Sequence, residues 1–235
     1  GHIGVAGSRN HAIRKVDVHK DEVVTLAGSG LIGAEDGVGE EASFHHPLDV
    51  AVSDEGIVYV ADTLNHVIRM IDREGKVSTL NAAASRLVDA GEVVIAGGWQ
   101  DGALDEALFN EPSGLAIDDH GNLYVSDTGN QLIRYIDLAE RTVSTVAGLL
   151  SEEGLYPENQ LYADGGFQDG PAEQAQFNYP RGLALTSEGG LVIADRLNHA
   201  VRYLYDGHVI TLSGSSSGEF GNQAGIDTSN LLHMP

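Results

Sequence analysis

An eight-residue pattern that recurs along the chain constrains its fold more than any other feature. The pattern is Asp-x-x-Asn-His-x-Ile-Arg, and its aspartate, asparagine and arginine are invariant in the three full copies. Those copies span 62–69, 127–134 and 195–202, and a weaker copy spans 7–14. A chain with four copies of one unit is a repeat protein, in which each unit is a supersecondary module that packs on its neighbours.

The interior of each unit has a fixed length and a fixed order of short apolar runs. A proline stands at the same distance before three of the arginines, and two apolar runs follow it. In the third unit these runs are 114–117 and 123–126, with a turn at 118–121 between them and a last run at 143–146. Short runs of β-forming residues bounded by Gly, Asp or Asn predict strands joined by hairpins.

Each unit therefore predicts a sheet of four antiparallel strands. The inner runs are apolar almost throughout, so both of their faces must be covered, and radial stacking of like sheets achieves this. The predicted fold class is an all-β β-propeller, because the helical patterns of about 10–15 residues that a parallel α/β fold needs are missing. We expect a single domain over 1–235, with repeat units at approximately 1–46, 47–111, 112–179 and 180–235.

The connections between units carry a second motif, Asp-Gly followed by Ala and then Phe. The Glu, Ala and Gln residues inside it suit one helical turn, and the phenylalanines are expected to fill gaps between neighbouring sheets. These are Phe44, Phe109 and Phe177. Two connections are longer than the others, 81–91 and 149–164, and long loops at a propeller rim are common sites of function.

The two ends of the chain predict an incomplete array. Alignment of the units places the start of the chain at a second strand and its end just before a first strand. The first blade should therefore lack its innermost strand. We expect a segment of a longer array, and the alternative is a small ring closed by joining the two ends.

The stretch 109–137 shows the repeat most completely, as Phe-x-x-Pro-x-Gly-Leu-Ala-Ile, Gly-Asn-Leu-Tyr-Val-Ser-Asp-Thr-Gly-Asn and Leu-Ile-Arg-Tyr-Ile-Asp. This pattern resembles the NHL repeat, and the Asp-Gly-x-Ala connection is similar to the long-period bacterial form. The resemblance covers essentially the whole chain and implies a β-propeller, commonly six-bladed, in secreted or surface proteins. Members of that family include protein-binding and RNA-binding propellers and a few lyases or hydrolases, so the fold does not select a function.

Charge and composition exclude several kinds of partner and chemistry. The chain has 13 basic and 35 acidic residues, a formal net charge of −22. Such a surface repels phosphate backbones and anionic headgroups, which predicts no nucleic-acid partner. No apolar run approaches the roughly 20 residues of a membrane helix, so no membrane insertion is expected. The absence of cysteine excludes disulfides, thiolate zinc sites and a thiol nucleophile.

The residues that recur in every full unit are expected to build the fold. Aspartate before a tight turn accepts backbone N–H groups, and asparagine tolerates left-handed conformations there. The arginines are expected to lie against a sheet and pair with a carboxylate or carbonyl. These structural positions are Asp62, Asn65, Arg69, Asp127, Asn130, Arg134, Asp195, Asn198 and Arg202.

Candidate binding residues flank the prolines, where the innermost strands begin. Two residues before each proline stand His45, Asn110, Asn178 and His233, with His46 beside the first. A ring of His and Asn at the axis could hold zinc or calcium, or could cap backbone groups of the loop. After the prolines, the units differ at Asp49, Ser113 and Arg181.

Rim aromatics form a further set of candidates. They lie in the connections and could stack on a sugar or a peptide, or pack between blades. These are Trp99, Tyr156, Tyr162, Phe167 and Tyr179.

The sequence favours a non-catalytic interaction or scaffold module of a larger, extracellular or surface-exposed bacterial protein. Its partner would be a protein or a carbohydrate that docks on a propeller mouth and the long loops. No Gly-x-x-x-x-Gly-Lys or His-Glu-x-x-His motif is present. The alternative is a metal-dependent lyase or hydrolase with a divalent cation, calcium or zinc, at the axis. A third option is self-association, in which incomplete blades of two chains complete each other.

Overall fold

The computed structural model describes residues 2–157 and 159–214, which form four β-sheets and one separate hairpin. All regular structure in this part of the chain is β-strand or single-turn 3-10 helix. None of those helices is long and apolar enough to cross a bilayer.

The first blade has three antiparallel strands in sequential order. They are β1 (His2–Gly7), β2 (Ala12–Asp17) and β3 (Glu22–Ala27). The innermost strand of the other blades has no counterpart here, as the alignment of the units predicts.

Each of the other three blades has five strands. The second blade contains β4 (Gly37–Val38), β5 (Pro47–Val52), β6 (Val58–Asp62), β7 (Val67–Ile71) and β8 (Lys76–Thr79). A separate hairpin follows, formed by β9 (Arg86–Asp89) and β10 (Val93–Ala96). The third blade contains β11 (Gly102–Ala103), β12 (Pro112–Ile117), β13 (Leu123–Asp127), β14 (Leu132–Asp137) and β15 (Thr142–Ala147). The fourth contains β16 (Gly170–Pro171), β17 (Pro180–Leu185), β18 (Leu191–Asp195), β19 (Ala200–Tyr205) and β20 (His208–Ser213).

Short 3-10 helices occupy two recurring places. One precedes the proline, in the connections of the second and third blades, at Gly39–Glu41 and Leu104–Glu106. The other forms the turn of the eight-residue motif, at Thr63–Asn65, Thr128–Asn130 and Arg196–Asn198. The motif is therefore the tight link between the second and third long strands of each blade.

The β-propeller class is confirmed, with one difference in strand number. The sequence predicts four strands a blade, and the structure adds a fifth, two-residue strand at the outer edge. The Asp-Gly connection supplies it, because Gly37, Gly102 and Gly170 pair with the last long strand of their blades. Each of these glycines has a positive φ, between 112° and 148°. Residues with a side chain rarely adopt that backbone conformation, which explains why glycine stands there.

Neighbouring blades pack through their innermost strands and through the phenylalanines of the connections. Strand β5 lies between β1 and β12, and β12 lies between β5 and β17. Phe44, Phe109 and Phe177 are fully buried, each in a separate cluster that joins two successive blades. Burial of one such side chain contributes about 1.5–3 kcal/mol, so these residues hold adjacent blades together.

A fully buried arginine ties together the separate segments of each complete blade. In the third blade, Arg134 Nη1 lies 2.7 Å from Asp127 Oδ2 and 2.8 Å from the Leu108 carbonyl oxygen. Its Nη2 donates to Asp101 Oδ1 at 2.7 Å and to the Gln100 carbonyl at 2.8 Å. One side chain on β14 thus fixes the motif turn and both ends of the connection. Arg69 and Arg202 make the same set of bonds.

The partner aspartate is equally saturated. Asp127 Oδ2 also accepts a bond from Asn130 Nδ2, and Oδ1 accepts the backbone N–H of Asn110, both at 2.7 Å. Burial raises the pKa of Asp127, whereas the charge of Arg134 and the hydrogen bonds from Asn110, Asn130 and Arg134 favour its ionised form. Asp62 and Asp195 have the same donors. The recurring Asp, Asn and Arg side chains therefore serve as one internal network.

We expect Arg134→Met to lower the free energy of unfolding by about 3–5 kcal/mol, because Asp127 would be left buried without its counter-charge. Arg14→Met is the matched control. Arg14 occupies the same motif position in the first blade, where Gly7 replaces the aspartate, and it donates to Thr25 Oγ1. Its replacement should cost less than about 1 kcal/mol. Urea unfolding measures both values, and equal losses would contradict the assigned role of the buried pair.

Candidate functional site

A pocket of about 290 Å³ opens at the end of the blades where the innermost strands begin. The second and third blades each contribute four residues to it, the fourth blade contributes three, and Tyr162 comes from the long connection. The residues immediately before the prolines are His46, Glu111 and Tyr179. Those immediately after them are Leu48, Ser113 and Arg181. Those from the motif turns are Thr63, Leu64, Thr128, Gly129 and Arg196. We call this site the mouth pocket.

The residues immediately before the prolines have a left-handed backbone, with φ of 55° at His46, 50° at Glu111 and 57° at Tyr179. Non-glycine residues seldom adopt this conformation, so the surroundings must hold them in it. The holding contact comes from the fifth motif residue of the preceding blade. His66 Nδ1 accepts the backbone N–H of Glu111 at 3.0 Å, and Gln131 Oε1 accepts that of Tyr179 at 2.6 Å.

The same contact joins the first and second blades, where His11 Nδ1 accepts the N–H of His46 at 3.0 Å. This contact, which we call the inter-blade clasp, explains why either histidine or glutamine stands at the fifth motif position. Both side chains offer an acceptor at similar reach. The clasp leaves the side chains of His46, Glu111 and Tyr179 free to differ from blade to blade.

The wall of the mouth pocket next to the long connection is aromatic and acidic. The Glu111 carboxyl group lies close enough to the Tyr162 hydroxyl to interact with it, and burial raises the pKa of both groups. The rings of Tyr162 and Tyr179 meet edge to face, with centroids 5.7 Å apart. This wall therefore combines two aromatic rings with hydroxyl and carboxyl groups.

The pocket lining also includes two exposed arginines, Arg181 and Arg196. Burial, and then the positive charge of Arg196, lowers the pKa of Arg181. Within the described part of the chain, neither group forms an ion pair within 4 Å. In contrast, the motif arginines of the three complete blades are each paired with two aspartates.

Three of the residues that the sequence proposes for binding lie in this pocket: His46, Ser113 and Arg181. Asp49 lies elsewhere. Its Oδ1 accepts the N–H of Val50, and its Oδ2 accepts the N–H of Leu115 at 2.9 Å, so it bridges β5 and β12. Burial raises the pKa of this carboxyl group. Asp49 thus joins two innermost strands below the pocket residues.

The residues two positions before the prolines are placed differently from the predicted axial ring. The motif aspartates bind the backbone N–H groups of His45, Asn110 and Asn178 at 2.7–2.8 Å. The Asn110 side chain is buried and donates to the Leu161 carbonyl in the long connection. The His45 ring lies edge to face on His11, with centroids 5.7 Å apart. The backbone at these positions is bound by the motif turns, whereas the residues one place further along line the pocket.

The last member of that set, His233, lies outside the described residues. Across 2–157 and 159–214, no group of three or more His, Asp and Glu side chains is arranged to hold a metal ion.

The rim aromatics divide into two groups. Trp99, Tyr156 and Phe167 pack against arginines of the framework, at 5.9 Å from Arg134, 3.6 Å from Arg86 and 4.7 Å from Arg202, respectively. Tyr162 and Tyr179 line the mouth pocket. Sequence reasoning names both tyrosines but has no means to place them together.

Arg86 explains how Tyr162 reaches the site. Its Nη2 donates to the Leu161 carbonyl at 3.0 Å, and its guanidinium stacks on the Tyr156 ring. The hairpin of the first long connection therefore fixes the second long connection, next to Tyr162. Glu111 and Arg196 are pocket residues that sequence reasoning missed. Their signal is that they vary within an otherwise constant unit, since Arg196 stands where the other full copies have threonine.

Four like sheets arranged side by side through their innermost strands define a β-propeller. The family model described as NHL repeat matches residues 109–134 and 177–202. The chain is 35% identical over 142 residues to Protein SUPPRESSOR OF QUENCHING 1, chloroplastic, of Arabidopsis thaliana, covering 57% of this chain and 12% of that protein. It is 33% identical over 160 residues to NHL repeat-containing protein 2 of Homo sapiens, covering 64% and 21%. The chain therefore contains NHL repeats and is similar to proteins of the NHL-repeat β-propeller family.

Solved structures agree on the fold. A structural genomics protein of unknown function from Bacteroides thetaiotaomicron superposes with a TM-score of 0.63 at 24% identity, over 86% of this chain and 44% of that one. Both sequence relatives above are much longer than their matched regions, so the match describes the repeats and not the whole of those proteins.

We expect His66→Gln to preserve the inter-blade clasp, because Gln131 already performs this role, and to remove a source of acid sensitivity. Burial lowers the pKa of His66 from 6.5 to about 4. The neutral ring therefore stabilises the fold at neutral pH, and this contribution is lost as pH falls from about 6.5 through 4. It amounts to on the order of 3 kcal/mol for the buried ring.

The free energy of unfolding, measured from pH 7 to pH 4, should fall less steeply in His66→Gln than in the parent. His66→Leu, which cannot accept the Glu111 N–H, should lose about 1–3 kcal/mol at pH 7. Parallel pH profiles for parent and His66→Gln would refute the protonation argument.

Proposed function

We propose that this chain is a non-catalytic binding module whose ligand enters the mouth pocket. One observation carries the proposal. The residues that recur in every unit are used within the blades, whereas several residues that differ between units, His46, Glu111, Tyr179 and Arg181 among them, come together in this pocket. Variation at positions held by a constant framework is how a repeat array acquires an individual binding surface.

The chemistry of the pocket favours binding over turnover. Ser113 Oγ is hydrogen-bonded to Thr128 Oγ1, which also bonds the Pro180 carbonyl oxygen, so the serine hydroxyl lacks the adjacent base that a nucleophile requires. The Glu111 carboxyl group is engaged by Tyr162. Such groups can orient a ligand by hydrogen bonds.

The proposed partner is a protein or a carbohydrate, of which one side chain or one sugar ring fills the pocket. The neighbouring hairpin offers additional contact area, because its Leu87, Val93 and Ile95 side chains are 60–67% exposed. The formal charge of −22 argues against nucleic acid. The proposal also places the chain outside the cell, in a larger bacterial protein, because its connections are similar to those of the long-period repeats.

Two other hypotheses have direct tests. Elemental analysis of the gently purified protein tests the metal-dependent lyase or hydrolase, which requires about one bound ion per chain. Light scattering tests self-association, which a strictly monomeric mass would remove.

We expect Tyr162→Ala and Tyr179→Ala to weaken partner binding at least tenfold, because each removes one half of the aromatic wall. Tyr205→Ala is the control, since Tyr205 is 50% exposed on β19, away from the mouth pocket. Glycan and peptide arrays probed with the labelled chain identify the binders, and calorimetry ranks the variants. If the binders keep their affinity for both tyrosine variants, the binding site lies elsewhere. Turnover of a small molecule would argue for an enzyme.

A further inference from the structure

The two guanidinium groups in the mouth pocket are available for an anion. The motif arginines of the three complete blades are each paired with two aspartates. Arg181 and Arg196 have no such partner among residues 2–157 and 159–214. They lie close enough for the charge of one to affect the other. A carboxylate placed between them would relieve this repulsion and accept two-pronged hydrogen bonds, which guanidinium groups favour.

The remaining surface of the pocket suits a ligand rich in hydroxyl groups. Among the described residues, Glu111 is the only acidic one that lines the pocket; it interacts with the Tyr162 hydroxyl and is near Arg181, but forms no ion pair within 4 Å. Its carboxyl group can accept hydrogen bonds from ligand hydroxyls, and the Tyr162 and Tyr179 hydroxyls can give or accept them. The two rings provide the flat apolar surface on which a sugar ring stacks.

The volume of the pocket and the net charge of the chain restrict the possible ligands further. The volume of about 290 Å³ lies at the lower end of small-ligand pockets, which run from about 300 to 1,000 Å³. A polyanion would meet repulsion from the whole acidic surface, whereas one small acid would sense mainly the two nearby arginines. These observations together favour a single acidic ring over an acidic polymer.

We propose that the mouth pocket selects a carboxylated sugar, a hexuronate, whose carboxylate is bound by Arg181 and Arg196 and whose ring packs against Tyr162 and Tyr179. The inference rests on the proposed binding function and adds the chemical class of the ligand. It also explains why Arg196 replaces the threonine found at this turn position in the second and third blades.

Calorimetric titration of the full chain with D-glucuronate and with D-glucose isolates the contribution of the carboxylate, because the two sugars differ at one carbon. We expect glucuronate to bind at least tenfold more tightly than glucose. The double variant Arg181→Gln/Arg196→Gln should abolish this difference. Arg73→Gln, which changes an exposed arginine away from the mouth pocket, should keep it.

A third ligand, the acetylated dipeptide N-acetylglycylglycine, presents a carboxylate without a sugar ring. Weaker binding than glucuronate supports the proposal, and equal or tighter binding overturns the assignment to a sugar. Equal affinity for glucuronate and glucose, no glucuronate binding at millimolar concentration, or an unchanged double variant would each overturn it as well.

These outcomes separate the two proposals. A ligand whose affinity depends on Tyr162 and Tyr179 but not on a carboxylate would refute the hexuronate proposal. It would leave the proposed binding function intact. Binding that no pocket variant affects would refute both.

Discussion

The buried arginine–aspartate pair is the interaction on which the rest of this structure depends. Taking two charges out of water costs several kcal/mol for each ion, so such a pair is tolerated only when nearly all its hydrogen-bonding groups are satisfied. In each complete blade the sequence supplies those partners from three separate segments: the motif turn, the Asp-Gly connection and the loop before the proline. The requirement to satisfy one buried pair therefore fixes the positions of all three.

The consequences of this network extend to the mouth pocket. The aspartate binds the residue two places before the proline, and the inter-blade clasp binds the residue one place before it. With both backbone groups held, the loop is fixed without any contribution from the side chain of the second residue. Evolution of a binding site is then possible by changing that side chain alone, as the series His46, Glu111 and Tyr179 illustrates. Stability and recognition are carried by different residues of the same short loop.

The sequence predicts the parts of the structure that are local and periodic. The strand order within a blade, the role of Asp127 at a tight turn and the burial of Phe109 between blades all follow from short-range patterns repeated at a fixed spacing. The fifth strand is not predictable in this way, because a two-residue strand at Gly102 has no period and depends on a partner about forty positions away.

The pocket was harder to predict for two physical reasons. Residues with a left-handed backbone break the alternation that assigns side chains to faces, so the sequence pointed to Asn110 when Glu111 is the residue that lines the site. The pairing of Glu111 with Tyr162 depends on where the long connection folds, and Arg86 of another connection determines that. The location of Arg181 at the mouth is predictable because it follows a proline at the start of a strand, where local geometry determines its position.

The central claim is that recurring residues build the blades and varying residues bind. A paired alanine scan tests it most directly, with unfolding free energy and ligand affinity measured for every variant of Asp62, Arg69, Asp127, Arg134, Asp195, Arg202, Glu111, Tyr162, Tyr179, Arg181 and Arg196. The account predicts large stability losses in the Asp and Arg motif variants, and large affinity losses with stability changes of about 1 kcal/mol or less in the pocket variants. Comparable stability losses in both groups, or full affinity in the pocket variants, would contradict it.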